Sequence, residues 1–218
     1  MAVQCPTHRL LFIQNPRTGC SAVGRHLVEF YGGVPTPPDA SRPRGYHKHA
    51  SLAEVVEAGA LSGAARSDWL VFAGVRNPYD SVASLYQKRC NWAEIPLERR
   101  SHRKWWQKPR TRRQVEFAAD HSFEEFVAEF IDSDERPRLS RLAKGVDRVV
   151  RFERLNEELA EVLTAVGVAD PKPVPHHNPT SGKSRYQRYF TPRARETVER
   201  VYRADLERYG YDFDGVVG

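Results

Sequence analysis

Three short runs rich in apolar residues mark the strands around which this chain is organised. They span residues 10–13, 69–75 and 146–152, and each is followed by a polar turn and then by apolar residues at helical spacing. The first two runs lack polar alternate positions, which is typical of strands buried on both faces of a parallel sheet. The pattern therefore predicts an α/β fold, with a mostly parallel central sheet flanked by helices.

Helix starts are predicted where a capping residue precedes an amphipathic pattern. Ser51 and Glu54 have the spacing of a capping box, and Asn77 precedes a proline that suits the first helical position. A final helix is predicted from Pro192. At this length one sizeable core is expected, so we predict a single domain over residues 1–218.

Two stretches interrupt the alternation of strands and helices. Residues 34–46 contain enough proline to predict a loop without regular structure. Residues 88–113 contain ten lysines and arginines against two glutamates, together with Trp92, Trp105 and Trp106. Such a segment favours an anionic or ring-shaped ligand, a nucleic-acid surface, or a solvated basic helix that its tryptophans anchor to the core.

Composition and charge narrow the class of protein. The 218 residues include 34 Lys or Arg against 28 Asp or Glu, which gives a net charge of +6 and a pI near 9.3. This balance favours an anionic partner. The three cysteines are widely spaced, there is no apolar signal core, and no run approaches the ~20 apolar residues of a membrane span. These features are typical of a cytoplasmic protein, with a bacterial source as one option.

The turn after the first strand has the character of an anion cradle. Asn15-Pro16 ends the strand, and the small, polar and cationic residues 17–21 lead into a helix. Such a turn directs backbone N–H groups and the positive end of the helix at an anion. Neither the Walker spacing nor the dinucleotide fingerprint occurs here. Cys20 is either a reactive thiol at the helix start or a small residue that fills the turn.

A second polar junction follows the second strand. Arg76 ends that strand, where open α/β sheets bind ligands, and Ser84 lies about two turns along the next helix.

Both junctions resemble the signatures of PAPS-dependent sulfotransferases, whose donor is 3′-phosphoadenosine 5′-phosphosulfate. P-R-T-G-C-S resembles their P-K-T-G-(G/T)-(S/T) loop, and V-R-N-P-Y-D-S-V-A-S-L-Y resembles V-R-(N/D)-P-x-(D/E)-R-x-x-S-x-Y. R-F-E-R-L and the C-terminal Y-Q-R-Y-F-T and Y-R-A-D-L-E-R-Y-G-Y runs are similar to elements of short carbohydrate-type members. The chain is identified as a member of this family, which implies a P-loop-like sulfotransferase fold.

The resemblance implies a donor site in two parts, with PAPS as donor and 3′-phosphoadenosine 5′-phosphate (PAP) as product. The 5′-phosphosulfate would bind to Arg17, Thr18, Gly19, Cys20 and Ser21. The 3′-phosphate would bind to Arg76 and Ser84, although Ser81 stands where the family usually has a second arginine. A later polar turn offers Lys183 or Arg185 to a phosphate.

The resemblance also implies the catalytic groups. His49 stands in the K-H-A context of the family's histidine base, and His47 is the second candidate. Arg17 occupies the position where most members have the lysine that neutralises the leaving oxygen, and Lys48 is a substitute cation. We expect no metal, because this scheme requires none.

The acceptor is the least specified part of the function. The candidate acceptor wall consists of Trp92, Trp105, Trp106 and Arg103. A carbohydrate or other anionic hydroxyl compound is the first expectation, while a lipid, a peptide tyrosine and a small metabolite stay open. Two alternatives to the enzyme are a catalytically weak module that binds PAPS or an anionic glycan, and a basic nucleic-acid-binding protein. We expect no nucleic-acid partner and no membrane span, and the oligomeric state stays open.

Overall fold

The computed structural model describes most of the chain, and the described residues are 2–36, 49–58, 66–132, 142–175 and 185–217. They form two compact units. The first unit takes in residues 1–76 and 137–177, and the second takes in residues 77–136 and 178–218. The single domain that we expect from the chain length stays a prediction.

A five-stranded sheet forms the centre of the first unit. Its strands are β1 (Ala2–Cys5), β2 (Leu10–Ile13), β3 (Val34–Thr36), β4 (Leu70–Val75) and β5 (Arg148–Arg151). They lie in the order β3-β1-β2-β4-β5, with β1 antiparallel to both of its neighbours and β2, β4 and β5 parallel. Since β3 opposes β1, four of the five strands share one direction, which confirms the mostly parallel sheet.

The helices of the described residues alternate with these strands and form most of the second unit. They are α1 (Cys20–Phe30), α2 (Leu52–Glu57), α3 (Pro78–Ala93), α4 (Leu97–Arg100), α5 (Pro109–Asp120), α6 (Phe123–Val127), α7 (Leu155–Ala165) and α8 (Pro192–Tyr209). Short 3₁₀ turns cover Pro6–His8, Phe152–Arg154 and Tyr186–Tyr189, and a π-helical turn covers Ala128–Asp132.

Apolar side chains pack α1 and α7 onto one face of the sheet. Phe12 of β2 stacks on Phe72 of β4 with ring centroids 4.7 Å apart, and Leu27 and Leu163 belong to the same buried cluster. The side chains of β2 that point to the other face are also buried. The apolar runs are therefore buried on both faces, as their lack of polar alternation predicts.

The predicted helix caps are confirmed in detail. Ser51 Oγ accepts a hydrogen bond from the Glu54 N–H at 3.3 Å, and Glu54 Oε2 accepts one from the Ser51 N–H at 2.7 Å. Asn77 caps α3, where its Oδ1 accepts a hydrogen bond from the Tyr79 N–H at 3.0 Å. These bonds satisfy N–H groups that a helix cannot satisfy by itself.

The prediction that residues 34–46 lack regular structure is wrong for its first three residues. Val34–Thr36 forms the edge strand β3, and its Pro35 stands opposite Val3 of β1. Proline is tolerated there because an edge strand needs hydrogen bonds on one side only. The rest of this stretch, together with residues 47 and 48, lies outside the described residues.

Helix packing around aromatic side chains builds the second unit. Helix α3 packs against α5, α6 and α8. The Tyr86 hydroxyl of α3 donates a hydrogen bond to the His121 carbonyl oxygen at 2.8 Å, and its ring meets the edges of Phe123 and Phe126. Within the described part of the chain, every helix is too short or too polar to cross a membrane.

Candidate functional site

Three parallel strands of the first unit end at the same edge of the sheet. Ile13 pairs with Ala73, and Val75 pairs with Arg151, so β2, β4 and β5 finish close together. The residues that follow these strands are the loop at 14–19, Arg76 and Phe152. In open α/β sheets, ligands bind at this carboxyl edge.

Buried hydrogen bonds fix the loop at residues 14–19, which we call the β2–α1 loop. Asn15 has no exposed surface, and its Nδ2 donates to the Gly74 carbonyl oxygen of β4 at 2.8 Å. The Thr18 hydroxyl, also buried, donates to the Asn15 carbonyl oxygen at 3.0 Å. The loop is therefore held both to itself and to the neighbouring strand.

The absence of a side chain at Gly74 gives this loop its room. A Cβ atom at Gly74 would lie 2.6 Å from Thr18 Oγ1 and 2.9 Å from Thr18 Cβ. Glycine inside a strand often marks such a close approach of another segment. Only glycine at this position accommodates Thr18 where it lies.

Two left-handed residues shape the turn. Arg17 has a φ of +67° and Gly19 has a φ of +72°, and the Gly19 carbonyl accepts from the N–H groups of Ala22 and Val23 at the start of α1. Glycine adopts such a φ at little cost, whereas for arginine the cost is about 1–2 kcal/mol. Turns that contain left-handed residues form concave sets of N–H groups that bind anions, and a helix start adds its positive dipole. Cys20 begins α1 and is buried, whereas Ser21 is exposed.

The arginine of the second signature contacts the β2–α1 loop directly. Arg76 Nη1 donates to the Arg17 carbonyl oxygen at 3.0 Å, and its guanidinium lies over the Phe152 ring at 4.1 Å from the centroid. The Phe152 ring would also lie 3.3 Å from a Cβ at Gly19. Arg76 is 7% exposed, so its charge lies close to the loop and is partly shielded from water. The structure thus brings Arg17 and Arg76 together.

The candidate base lies beside the first residue of this loop. His49 Nδ1 and the Gln14 carbonyl oxygen are 2.7 Å apart. Because a carbonyl only accepts hydrogen bonds, the Nδ1 atom carries the proton, and in the neutral ring Nε2 keeps its lone pair. That tautomer is the one that a base acting through Nε2 requires. The other two candidates in this segment, His47 and Lys48, fall outside the described residues.

The remaining donor-site candidates belong to the second unit. Ser84 is buried in α3. Arg185 is exposed and precedes the 3₁₀ turn Tyr186–Tyr189, and Lys183 lies outside the described residues. Their predicted contacts to the donor stay predictions.

The tryptophans of the candidate acceptor wall pack with each other and with cations. Trp92 and Trp105 stack with centroids 4.1 Å apart and an interplanar angle of 12°. Arg89 lies 4.6 Å from the Trp92 ring, while Trp106 is buried under Arg100 at 4.7 Å. The rings thus form a packed cluster within the second unit, and Arg103 beside them is exposed. Their role in acceptor binding stays a prediction.

Sequence reasoning missed three residues that shape the site. The sequence indicates only that Asn15 ends a strand and that Phe152 belongs to an architectural element. Of the three, only Gly74 could have been found from the sequence, because a glycine inside an apolar strand indicates the close approach of another backbone segment or a ligand. The chemistry of the site suits an anion, since the Arg76 guanidinium and the start of α1 both adjoin the β2–α1 loop. The described ranges contain no group of three or more His, Cys, Asp or Glu side chains that could hold a metal ion.

Comparisons with known proteins place the chain in a family. Neither the curated proteins nor the solved structures give a significant match. The model of the sulfotransferase family matches residues 1–212, which include both signatures and all the strand ends of the site. The chain therefore belongs to the sulfotransferase family and is a transferase of sulfuryl groups.

Proposed function

We propose that this sulfotransferase takes its sulfuryl group from PAPS and transfers it to an acceptor hydroxyl, with His49 as the base. The observation that carries the proposal is the hydrogen bond from Arg76 to the Arg17 carbonyl oxygen. It joins the two signature segments at the sheet edge where a ligand is expected.

The β2–α1 loop is assigned the 5′-phosphosulfate end of the donor. Support comes from the left-handed turn at Arg17 and Gly19 and from the start of α1, both of which favour an anion. The Thr18 hydroxyl donates a hydrogen bond to the Asn15 carbonyl oxygen and so stabilises the loop. The backbone N–H of Thr18 is therefore the group that we assign to PAPS. Ser21, which is exposed in the first turn of α1, adds a hydroxyl.

Arg76 is assigned the 3′-phosphate, and the motif assigns Ser84 to the same group. A guanidinium has five N–H donors in a planar fork, which is enough for a carbonyl oxygen and a phosphate together. The Phe152 ring beneath Arg76 supports this role, because it holds the guanidinium plane in one orientation.

The residues of this site suffice for an in-line transfer. His49 takes the proton of the acceptor hydroxyl through Nε2 while the acceptor oxygen forms its bond to sulfur. The bond between sulfur and the bridging phosphate oxygen breaks, and PAP leaves with that electron pair. Arg17 neutralises the negative charge that develops on the bridging oxygen, and the protein otherwise contributes by positioning.

A carbohydrate hydroxyl is the acceptor that we propose. The C-terminal runs similar to carbohydrate-type members support this choice, as does the aromatic and basic character of the segment around Trp105 and Arg103. The second candidate function is a donor-binding module with weak catalysis, which is favoured by arginine at position 17 in place of lysine.

A transfer assay with labelled PAPS tests the proposal across carbohydrate, lipid, peptide and small-molecule acceptors. We expect transfer by the wild type, and a turnover reduced by about 100-fold in His49→Ala, with PAP affinity nearly unchanged. His8→Ala is the matched control, because His8 lies in a 3₁₀ turn outside the site, and it should keep wild-type turnover.

Three results would contradict parts of the proposal. Full turnover in His49→Ala would remove the histidine from the mechanism. Binding of PAP without transfer to any acceptor class would favour the binding module. Stabilisation of the fold by single-stranded DNA and not by PAP would exclude the enzyme and favour a nucleic-acid-binding protein.

A further inference from the structure

The last residues of the second unit fold into a compact hook, residues 210–217. Helix α8 ends at Tyr209 and is capped by Gly210, whose φ is +65°, and the Val217 N–H donates back to the Gly210 carbonyl oxygen at 2.8 Å. Asp212 Oδ1 accepts from the N–H groups of Asp214 and Gly215, each at 2.8 Å. The Asp212 side chain therefore fixes a tight turn whose carbonyl groups have defined directions.

Aromatic contacts hold the tip of the hook. The Phe213 ring meets Tyr79 of α3 and Phe190 edge to face, with centroids 5.1 Å and 5.5 Å away. The Arg195 guanidinium lies over the same ring at 4.4 Å. The Tyr186 hydroxyl donates to the Phe213 carbonyl oxygen at 2.7 Å. The hook is therefore an ordered part of this unit.

One amide side chain connects the hook to the start of α3. Asn77 is 1% exposed, and its Nδ2 donates to the carbonyl oxygens of Asp212 at 2.8 Å and Gly215 at 3.3 Å. Its Oδ1 accepts from the Tyr79 N–H at 3.0 Å. Asn77 thus caps the helix with one end of its side chain and binds the hook with the other.

We propose that the C-terminal hook is a positioning element for donor binding and that Asn77 is its positioning residue. This inference rests on the proposed function, in which Ser84 of α3 contacts the 3′-phosphate. Ser84 lies about two turns from Asn77, and a helix is rigid over that length, so the direction in which α3 starts sets the place of the Ser84 hydroxyl. Small misplacements of binding groups cost large factors in affinity and rate.

Aspartate at position 77 separates the two roles of the asparagine. Asp and Asn are equally good N-caps, and a carboxylate at a helix N-terminus is favourable, so Asn77→Asp keeps the cap. A carboxylate has no hydrogen to donate, so the variant loses both bonds to the hook carbonyls. The two carbonyl oxygens would instead face a negative charge, which releases the hook from α3.

The test measures PAP affinity by titration calorimetry at pH 8, where the new carboxyl is ionised, together with thermal unfolding. We expect Asn77→Asp to bind PAP about tenfold more weakly, while the α3 cap is retained. Asn91→Asp is the matched control, since Asn91 Oδ1 accepts a hydrogen bond from Gln87 Nε2 and an aspartate oxygen can accept it as well. This control should bind PAP like the wild type.

A second pair of variants acts on the hook and leaves Asn77 in place. Asp212→Ala removes the acceptor that fixes the turn and should weaken PAP binding about threefold. Asp212→Asn keeps an acceptor oxygen at that position and should restore wild-type affinity. Because Asp212 is exposed, both variants should fold even where Asn77→Asp does not.

The outcomes separate this inference from the donor proposal. Wild-type PAP affinity in both Asn77→Asp and Asp212→Ala would overturn the inference alone, as would equal losses in Asp212→Ala and Asp212→Asn. A wild-type protein that does not bind PAP would overturn the donor proposal, and the role of the hook in donor binding with it.

Discussion

Replacing Gly74 by alanine tests whether the close approach of β4 sets the shape of the β2–α1 loop. The new Cβ would lie 2.6 Å from Thr18 Oγ1 and 2.9 Å from Thr18 Cβ, which is closer than real Cβ contacts. Gly74 is not among the glycines with a positive φ, so alanine adds no backbone strain. The destabilising part of the effect must therefore come from the displacement of Thr18.

The structure gives the expected size of this effect. Overpacking of a buried contact costs about 1–3 kcal/mol, and loss of the hydrogen bond from Thr18 to Asn15 adds about 1 kcal/mol. Alanine restricts the unfolded chain, which returns about 0.4–1 kcal/mol. The net loss is about 2 kcal/mol, which lowers the melting temperature by about 4–8 °C in a protein of this size. PAP affinity should fall about tenfold or more if the displaced loop carries the donor contacts, as we propose.

Thermal unfolding and calorimetric titration with PAP measure both effects. Gly24→Ala is the matched control, because its Cβ would also lie 2.6 Å from a polar atom, but that atom is the Gln14 Nε2 at the end of a flexible side chain. Alanine is also favoured over glycine inside a helix by about 0.5–1 kcal/mol, so this control should lose little stability. A Gly74→Ala protein with wild-type PAP affinity would refute the assignment of the loop.

Substitutions at three further residues test other contacts. Arg17→Ala should lower turnover by about 100-fold and PAP affinity far less. Arg17→Lys should keep turnover within about tenfold of the wild type. Equal turnover in the two variants would mean that the cation at position 17 takes no part in catalysis. Phe152→Leu removes the ring beneath Arg76 and should weaken PAP binding by about two- to fivefold in titrations, whereas unchanged affinity would show that the ring does not orient the guanidinium. Burial would raise the pKa of Asp147, but hydrogen bonds from Arg66 and a β4 amide outweigh it and lower the pKa. Asp147→Asn should therefore lower the free energy of unfolding, measured with denaturant at pH 7. The difference in this free energy between the variant and the wild type should shrink as the pH falls below about 4, and a constant difference down to pH 2 would contradict this.

Local sequence pattern predicts the inner strands better than the outer ones. The β2 and β4 runs are apolar at every position or nearly so, because both of their faces are buried. The short segments β1 and β3 carry no such signal, and β3 contains Pro35. Their existence depends on pairing with each other and with β2, which is a long-range property that local periodicity does not encode.

Motif spacing likewise predicts the charged residues of the site but not what supports them. Arg17 and Arg76 are evident from the two signatures, and the structure joins them by a hydrogen bond. The supporting residues act in three different ways. Asn15 binds the backbone of β4, Gly74 leaves room for Thr18, and Phe152 places its ring against the Arg76 guanidinium. These depend on the register of three strands that are far apart in the sequence, so spacing within one motif does not indicate them.

The central claim is that Arg76 recognises the 3′-phosphate of the donor. The most direct test compares the dissociation constants of PAP and of adenosine 5′-phosphate, which lacks that phosphate, in the wild type and in Arg76→Ala. We expect the wild type to bind PAP about 100-fold more tightly than adenosine 5′-phosphate, because the 3′-phosphate makes charge-assisted hydrogen bonds. In Arg76→Ala most of that preference should disappear. Equal affinities for the two nucleotides in the wild type, or a preference that survives in Arg76→Ala, would contradict the claim.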